Sequence, residues 1–383
     1  MSDFIYLDYA ATTPPDPRVC VAMQAVLEGP PGNASSTHAA GRAARARVEA
    51  ARAEVAALIG APPASIVFTS GATEADNLAI QGAARGNAAR GRHLVSLRTE
   101  HRAVLDPLAR LEREGFAVTL LKPGRDGRID PAAVGAALTS TTTLVSVMLV
   151  NNEIGVVQDI AAIAAECRRR GVLLHVDAAQ AAGRVPLDVG ALDADLVSLA
   201  AHKVHGPVGV GALYVRREPR PTLVPLSYGG GQEGGLRPGT LPVHQIVGMG
   251  AAYALAHAAQ HDEPARLAAL TERLWAALAT LPNVHRNGHP TRRAPHILSV
   301  SFEGVDGEAL VYALGDVALS TGAACGAGHG EPSYVLRALG RDDALASASL
   351  RFSVGRPTTT AEVDAVAARV RAAVLRLRAL APA

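Results

Sequence analysis

Cysteines, aromatic residues and a net excess of either charge are all scarce in this chain of 383 residues. The three cysteines, Cys20, Cys167 and Cys325, lie far apart with no C-x-x-C spacing, which argues against a disulfide framework and against a cysteine-rich zinc site. Lys and Arg number 37 against 35 Asp and Glu, and no basic stripe is interleaved with aromatics, so nucleic acid is not an expected partner. The charge pattern favours a small-molecule substrate, and we expect no bound metal.

Long apolar runs are missing as well. No segment approaches the roughly 20 apolar residues that a membrane-spanning helix needs, and residues 1–10 lack the basic and apolar regions of a signal peptide. We therefore expect a cytoplasmic protein without a membrane partner. Hydrophobic residues make up 49% of the chain and charged residues 19%, which is typical of a globular protein, and the length suggests two domains.

Short apolar runs alternate with helical segments between residues 66 and 215. The run 144–150 is almost entirely apolar, which indicates strands that are buried on both faces. Amphipathic segments, such as residues 103–114, lie between the runs. This alternation predicts an α/β fold with a mostly parallel sheet between helices. The predicted strands are residues 66–69, 93–97, 117–121, 143–148, 172–176, 195–199 and 211–215.

After Leu241 the pattern changes to two long helical segments, a stretch rich in Pro, Arg and His, and then a shorter mixture of strands and helices. We expect a second, smaller α+β domain that the N-terminal segment completes. The predicted division gives a large cofactor-binding domain of residues 15–258 and a small domain of residues 1–14 and 259–383.

A turn of small residues, 69–74, follows a predicted strand and precedes a helical run. Such a turn offers free backbone N–H groups and the positive end of the helix dipole, which makes Ala72 and Thr73 candidate ligands of a phosphate. An ordinary helix cap explains this hexamer equally well when it is considered alone.

Two further residues stand near the ends of predicted strands, where ligands of open α/β sheets collect. Asp177 is a buried acid that needs a cationic partner, and a protonated pyridine nitrogen would serve; a structural ion pair is the alternative. Lys203 follows an apolar strand and precedes a Gly-Pro pair, where partial burial would make its amine nucleophilic toward a carbonyl. A surface loop lysine is the alternative here.

A phosphate-binding turn, an acid for a pyridinium and an imine-forming lysine together fit pyridoxal 5'-phosphate. With these features in this order, the sequence closely resembles the cysteine desulfurases, within the aspartate-aminotransferase-like superfamily. The resemblance covers nearly the whole chain, and its matching segments are residues 6–14, 99–101, 150–155, 237–240, 320–325, 331–336 and 351–356.

The resemblance implies pyridoxal-phosphate fold type I and the conversion of L-cysteine to L-alanine. Sulfur would pass to Cys325 as a persulfide and then to an acceptor, such as an iron–sulfur scaffold or a tRNA-thiolation protein. A selenocysteine lyase, a small amino-acid aminotransferase and a catalytically silent scaffold of the same fold are the alternatives.

The resemblance also assigns roles to individual residues. His101 stacks on the pyridine ring and takes part in acid/base steps, Asn152 faces cofactor and substrate, and Arg351 clamps the substrate carboxylate. Thr240 reaches the cofactor phosphate of a neighbouring subunit, which implies a homodimer. The expected catalytic residues are Lys203, Cys325 and His101, and the expected cofactor-binding residues are Ala72, Thr73, His101, Asn152, Asp177, Gln180, His202, Lys203 and Thr240.

Small residues flank Cys325 on both sides, which permits the loop movement that sulfur relay requires. Cys20 and Cys167 fall on helical patterns instead, and we expect them to be small buried residues. The chain departs from the family pattern at Ala200, where a phosphate-binding serine is usual, and this departure bears on cofactor affinity.

Overall fold

Two groups of strands and the helices between them make up the molecule. The computed structural model describes residues 4–321 and 331–380. The strands are β1 (Ile5–Tyr6), β2 (Ile66–Thr69), β3 (His93–Leu97), β4 (Ala117–Leu121), β5 (Thr142–Met148), β6 (Leu173–Asp177), β7 (Leu196–Ala200), β8 (Gly211–Val215), β9 (Val284–Arg286), β10 (Ile297–Phe302), β11 (Val317–Ala318), β12 (Ser320–Thr321) and β13 (Ser349–Ser353). The α-helices are α1 (Pro17–Leu27), α2 (Ala39–Leu58), α3 (Ala72–Gly86), α4 (Arg102–Arg113), α5 (Pro131–Ala137), α6 (Ile160–Arg170), α7 (Val189–Leu192), α8 (Val243–Ala258), α9 (Asp262–Leu278), α10 (Gly307–Ala313), α11 (Tyr334–Ala338), α12 (Asp343–Ser347) and α13 (Thr360–Leu380).

The central sheet has seven strands in the order β2-β8-β7-β6-β5-β3-β4. Strand β8 runs antiparallel to both of its neighbours, and the other pairs are parallel. Along β5, Leu144 packs into one hydrophobic cluster, while Val145 and Val147 pack into another. Because successive side chains of a strand point to opposite faces, both faces of the sheet are covered. The predicted α/β class with a mostly parallel sheet is therefore confirmed.

Two details differ from the sequence-based expectation. Strand β4, at one edge of the central sheet, is half exposed, whereas β2 at the opposite edge is buried. Cys20 is exposed on α1, so the prediction that it is a buried residue is wrong, whereas Cys167 is buried in α6. The helical pattern around Cys20 gave its secondary structure but not the face on which it lies.

Helix α6 shows why the sequence forms these elements where it does. The Asp159 side chain accepts a hydrogen bond from the backbone N–H of Ala162 and so caps the N-terminus. Three arginines occupy the last turn, where positive charge interacts favourably with the helix dipole. Gly171 then ends the helix at φ 61°, a left-handed conformation that suits glycine. The chain turns directly into β6, which ends at Asp177.

The second group of strands comprises a four-stranded sheet, β12-β13-β10-β9, and the parallel pair β1 and β11. The side chains of Ile5 and Leu7 join a buried cluster with Phe302, Phe352 and Val370. The N-terminal segment therefore packs with residues from the last third of the chain. The division at residues 14 and 258 stays a prediction. None of the helices within residues 4–321 and 331–380 has the length and apolarity needed to cross a bilayer.

Candidate active site

A cavity of about 460 Å3 opens where three neighbouring strands of the central sheet end. Met148, Asp177 and Ala200, the last residues of β5, β6 and β7, all line it. The carboxyl ends of parallel strands are the usual ligand-binding edge of an α/β sheet. Of the residues expected at the site, those that line this cavity are Ala72, Thr73, His101, Asn152, Asp177, Gln180, His202, Lys203 and Arg351.

The N-terminus of α3 forms one end of the cavity. Gly71, at φ 155° and ψ 177°, precedes the helix in a conformation that residues with side chains rarely adopt. Gly211 of β8 lies against it, because a Cβ atom at Gly211 would come within 2.6 Å of the Gly71 Cα atom. The first-turn N–H groups of α3 and the Thr73 hydroxyl thus border an open space that suits a phosphate.

Asp177 is buried, with 6% of its surface exposed. Its Oδ1 atom accepts a hydrogen bond of 2.9 Å from the backbone N–H of Ala179. Burial, and then the charge of Asp76, raise its pKa to about 6. A cationic ring nitrogen at this carboxyl group would offset both effects and keep it ionised. The acid predicted from the sequence therefore has the surroundings that a pyridinium partner requires.

Lys203 lies just after β7 and extends toward the N-terminal segment. Its Nζ atom donates hydrogen bonds to the carbonyl oxygens of Ala10, at 2.5 Å, and Ala11, at 2.7 Å. The neighbouring His202 ring is within hydrogen-bonding distance of Thr12 Oγ1, at 3.1 Å. Burial and the Lys203 charge lower the pKa of His202 to about 4, so this imidazole is neutral at pH 7.

His101 caps the N-terminus of α4. Its Nδ1 atom accepts a hydrogen bond of 3.1 Å from the backbone N–H of Ala103. Burial, and to a smaller extent the Lys203 charge, lower its pKa, although Asp177 acts in the opposite direction. A neutral imidazole that accepts at Nδ1 carries its proton on Nε2. His101 therefore presents a neutral, polar ring to the cavity.

Asn152 and Gln180 also line the cavity. The Asn152 side-chain oxygen is buried with no hydrogen-bond partner among the described residues, as expected of a group that faces a ligand. Gln180 donates from Nε2 to the Ala10 carbonyl oxygen at 2.7 Å, and its Oε1 atom lies 3.4 Å from His296 Nε2. Gln180 thus contacts the same carbonyl group as Lys203.

Arg351 projects from β13 and is 4% exposed. Its Nη1 atom donates to the Asn152 carbonyl oxygen at 2.8 Å. Its Nη2 atom donates to Asp8 Oδ1 at 2.8 Å and to Ser320 Oγ at 2.9 Å. The guanidinium group therefore lies at the cavity with a defined orientation, which a carboxylate clamp needs.

One of the predicted site residues that the structure describes is not brought into this cavity. Thr240 is exposed and is not among the lining residues; its expected role in a neighbouring subunit stays a prediction. Cys325 lies outside the described residues. Ala200 is at the cavity wall, 1% exposed, so the position at which the family usually has serine does border the candidate phosphate site.

The sequence reasoning gave no role to the N-terminal segment, residues 8–13. In the structure Asp8 contacts Arg351, Ala10 and Ala11 contact Lys203, and Thr12 contacts His202. The match of residues 6–14 to the family was a signal that this segment contributes to the site. The contacts of Ala10 and Ala11 use backbone carbonyl groups, which residue types do not reveal.

These features fit pyridoxal 5'-phosphate: a helix N-terminus for the phosphate, a buried acid for the ring nitrogen and a lysine within one cavity. A family model described as aminotransferase class-V matches residues 5–366, so the chain belongs to the class-V aminotransferase family. Membership of that family implies this cofactor. Its similar curated proteins are cysteine desulfurases: the IscS enzyme of Salmonella arizonae is 53% identical over 381 residues, which cover 99% of this chain and 94% of the relative.

Solved structures agree with these relatives. A NifS-like protein aligns with a TM-score of 0.91 and 32% identity, over 98% of this chain and 100% of the other. DndA from Streptomyces lividans aligns with a TM-score of 0.77 and 41% identity, over 91% and 99% of the two chains. SspA in complex with cysteine gives a TM-score of 0.82 and 36% identity, over 91% and 98%. The predicted fold type and family are confirmed, and these matches support cysteine desulfurase activity.

Proposed function

We propose that this protein is a pyridoxal-phosphate-dependent cysteine desulfurase that converts L-cysteine to L-alanine and carries the sulfur as a persulfide on Cys325. The observation that carries the proposal is the convergence of Lys203, Asp177 and the α3 N-terminus on one cavity with Arg351. Each group has a separate task in this chemistry. No ordinary structural requirement would place all four together.

Ala72 and Thr73 would hold the cofactor phosphate, Asp177 its ring nitrogen and His101 one face of its ring, while Lys203 would hold its aldehyde carbon. When bound, pyridoxal 5'-phosphate supplies an electron sink for reactions at the substrate Cα atom. The Asn152 side-chain oxygen, which is buried with no partner among the described residues, is available to the cofactor or to the substrate.

Lys203 is the proton carrier of the proposed reaction. Once displaced by the substrate amine, its Nζ atom can take the Cα proton and return a proton to the product. The Ala10 and Ala11 carbonyl groups lie 2.5 and 2.7 Å from Nζ and fix its position. Acceptors of this kind stabilise the protonated amine, so they favour the step in which Lys203 gains a proton. His101 provides a second proton site at Nε2.

Arg351 orients the substrate by its carboxylate. A guanidinium group that is held by Asn152 and Asp8 loses little further freedom when a carboxylate binds. A carboxylate held in this way restricts the positions that the rest of the substrate can take.

Cys325 is the proposed sulfur acceptor. Its thiolate attacks the substrate sulfur atom, a sulfur–sulfur bond forms and the carbon–sulfur bond breaks. The electron pair of the broken bond stays on the carbon skeleton, which gains a proton and leaves as alanine. The persulfide then passes to an acceptor protein, such as an iron–sulfur scaffold or a tRNA-thiolation protein. We place this reaction in a cytoplasmic homodimer in which Thr240 reaches the phosphate of the neighbouring site.

The test separates substrate binding from sulfur transfer. Cys325→Ala should keep the change in visible absorbance that cysteine causes but lose persulfide formation and nearly all alanine release. The matched controls are Cys167→Ala, which alters a buried thiol, and Cys20→Ala, which alters an exposed one; both should behave like the parent. Alanine and sulfide at the parental rate from Cys325→Ala would instead favour a lyase without a protein persulfide.

Two simple measurements distinguish a desulfurase from enzymes of the same fold. Release of alanine and sulfide from cysteine without a keto acid separates it from an aminotransferase, and the rates with cysteine and selenocysteine separate it from a selenocysteine lyase. A catalytically silent scaffold would lack a yellow, borohydride-reducible cofactor.

A further inference from the structure

The Arg351 guanidinium group has a negative partner of its own. Asp8 Oδ1 lies 2.8 Å from Arg351 Nη2, and the side chains of Asp8 and Arg351 are 18% and 4% exposed. The carboxylate is not among the residues that line the cavity, so it approaches the guanidinium group from another side. A buried cation needs such compensation, because desolvation penalises an unpaired charge strongly.

Most of the donors on this guanidinium group are already used. The two N–H groups of Nη2 point to Asp8 and Ser320, and Nη1 donates to the carbonyl oxygen of Asn152. Nε is buried and has no partner within the described part of the chain. The donors left for a carboxylate that enters the cavity are Nε and the second N–H of Nη1. These two lie on different edges of the guanidinium plane, so a bidentate contact requires the carboxylate to displace Asp8 or Ser320 from Nη2.

The charge of Asp8, like the hydrogen bonds that it accepts, limits the binding of a substrate carboxylate by Arg351. With Asp8 ionised, the pair is neutral before the substrate arrives, and a bound carboxylate adds a second anion beside one cation. Like charges a few Å apart in a partly buried site repel, so Asp8 opposes the binding that Arg351 promotes. Asp8 and Ser320 also hold the guanidinium plane in place, which favours binding. The two effects of Asp8 have opposite signs.

We propose that Asp8 is a positioning residue of the substrate carboxylate site, which orients Arg351 through Nη2 and at the same time weakens carboxylate binding by its charge. The proposal rests on the proposed function, because it takes Arg351 as the carboxylate clamp. Its effect is to keep the affinity for the amino-acid substrate and product moderate, so that alanine leaves readily.

The two effects separate when asparagine and alanine replace Asp8. The same oxygen, Oδ1, accepts from both Arg351 Nη2 and Ser320 Oγ. An asparagine with Oδ1 in that place keeps both contacts and removes only the charge. We therefore expect Asp8→Asn to bind L-alanine about threefold or more tightly and to show a similar fall in KM for cysteine, with kcat changed little.

Asp8→Ala removes the acceptor as well as the charge. The guanidinium group then loses one of its holders, so the gain in L-alanine affinity should be smaller than in Asp8→Asn. Ser320→Ala is the matched control: it removes a neighbouring contact of Nη2 without a change in charge, and it should not tighten binding.

The measurements are calorimetric binding of L-alanine to the holoenzyme, the separate values of KM and kcat, and thermal unfolding with and without L-alanine. Asp8→Asn should melt at a lower temperature than the parent because Arg351 loses its counter-charge. L-alanine should raise the melting temperature of Asp8→Asn by more than it raises that of the parent. A purely structural role for Asp8 would lower stability without tightening binding. Unchanged or weaker binding of L-alanine by Asp8→Asn would overturn the proposal.

Arg351→Ala distinguishes failure of this inference from failure of the proposed function. Arg351→Ala should lose most of its affinity for L-alanine. If it binds L-alanine as the parent does, then Arg351 is not the clamp and the assignment of the substrate site is wrong, whatever Asp8 does.

Discussion

Buried carboxyl groups surround the candidate site. Burial raises the pKa values of Asp76 and Glu153 to about 7, raises that of Glu100 well above its usual range, and, with Asp76, raises that of Asp177 to about 6. Near neutral pH these groups therefore retain protons that ordinary carboxyl groups release, and a cation beside Asp177 would favour its ionised form.

Buried imidazoles oppose this trend. Burial, as the largest cause, lowers the pKa values of His175, His202 and His205 to about 4. Their contribution to stability is present above their unfolded pKa, near 6.5, and is lost as the pH falls toward 4. The carboxyl groups with raised pKa values change stability in the opposite direction, so the contributions of the imidazoles and the carboxyl groups partly cancel in weak acid.

Asp76 offers a test of the carboxyl side of this balance. It lines the cavity, is 1% exposed, and its Oδ1 atom has no hydrogen-bond partner among the described residues. Because its folded-state pKa is raised, its contribution to stability is present below its unfolded pKa and is lost as the pH rises through about 7. Asp76→Asn cannot ionise. The free energy of unfolding of the variant minus that of the parent should therefore be higher at about pH 8 than at about pH 5.

Urea denaturation at the two pH values measures this gain. An equal difference between variant and parent at both pH values would mean that Asp76 has the same pKa in the folded and unfolded chains, contrary to its burial.

At the scale of residues, the sequence was informative where chemistry depends on side-chain type. Lys203 and Asp177 could be selected because an amine and an acid have few substitutes, whereas Arg351 was assigned through the resemblance to the family. The partners of these groups could not be selected in that way. Ala10 and Ala11 act through carbonyl groups that every residue has, and Asp8 meets Arg351 only through the tertiary fold.

The ends of three elements, β7, β8 and α3, define the candidate phosphate site. Gly211 begins β8 opposite Ala200, the last residue of β7, and it lies against Gly71 just before α3. The close approach depends on glycine at position 211, because its surroundings there are backbone atoms that cannot move aside as a side chain can.

Gly211→Ala should therefore weaken cofactor retention. The added Cβ atom would lie 2.5 Å from the Leu199 carbonyl oxygen and 2.6 Å from the Gly71 Cα atom. Relief of these contacts moves the α3 N-terminus, and we expect faster loss of visible absorbance on dialysis. Gly315→Ala is the control, because a Cβ atom there has a nearest neighbour at 3.4 Å. Equal cofactor retention by Gly211→Ala and the parent would show that the candidate phosphate site tolerates displacement of the α3 N-terminus.

Ala200→Ser tests the candidate phosphate site at its other border, the end of β7. Ala200 is 1% exposed and borders the cavity, so a serine hydroxyl there would add a donor to a phosphate. We expect slower cofactor loss on dialysis than in the parent. Ala201→Ser places the same hydroxyl one residue further along, outside the cavity lining, and should not slow the loss. Unchanged or faster loss from Ala200→Ser would contradict this placement of the phosphate.

Strands were predicted well because most of them are buried on both faces and so appear as apolar runs. Predicted strands 66–69, 93–97 and 211–215 coincide with β2, β3 and β8, and 195–199 is shifted by one residue from β7. The exposure of β4 could not be predicted, because what covers a strand is decided by the tertiary fold and not by the strand's own residues.

On the scale of the whole molecule, a buried network of charges joins distant parts of the chain. Arg356, after β13, contacts Asp16 at 2.8 Å and Glu263 at 2.7 Å. Glu263, at the start of α9, also pairs with the buried Arg184. These residues come from before α1, after β6, α9 and after β13, so the network holds the two groups of strands together.

Glu263→Gln should destabilise the protein by about 3 kcal/mol, because it keeps the shape of the side chain but leaves Arg184 buried without its counter-charge. Chemical denaturation measures the loss. The control is Asp364→Asn, which breaks a surface pair in which Arg273 is 55% exposed and Asp364 is 49% exposed. The stability of this variant should stay close to that of the parent. Equal effects of the two substitutions would mean that the network contributes no more than a surface pair.

The hydrogen bond between Asp8 and Arg351 joins residues that are 343 positions apart. On a ribosome, the segment that contains Asp8 is made well before the arginine that it contacts, which follows 343 positions later. Ser353, which accepts a hydrogen bond from the backbone N–H of Ala10, follows later still. A nascent chain can therefore form the central sheet early, but it cannot assemble the proposed substrate clamp until Arg351 and Ser353 have been made. Incomplete translation products that lack these residues carry the candidate cofactor-binding residues without the proposed carboxylate clamp.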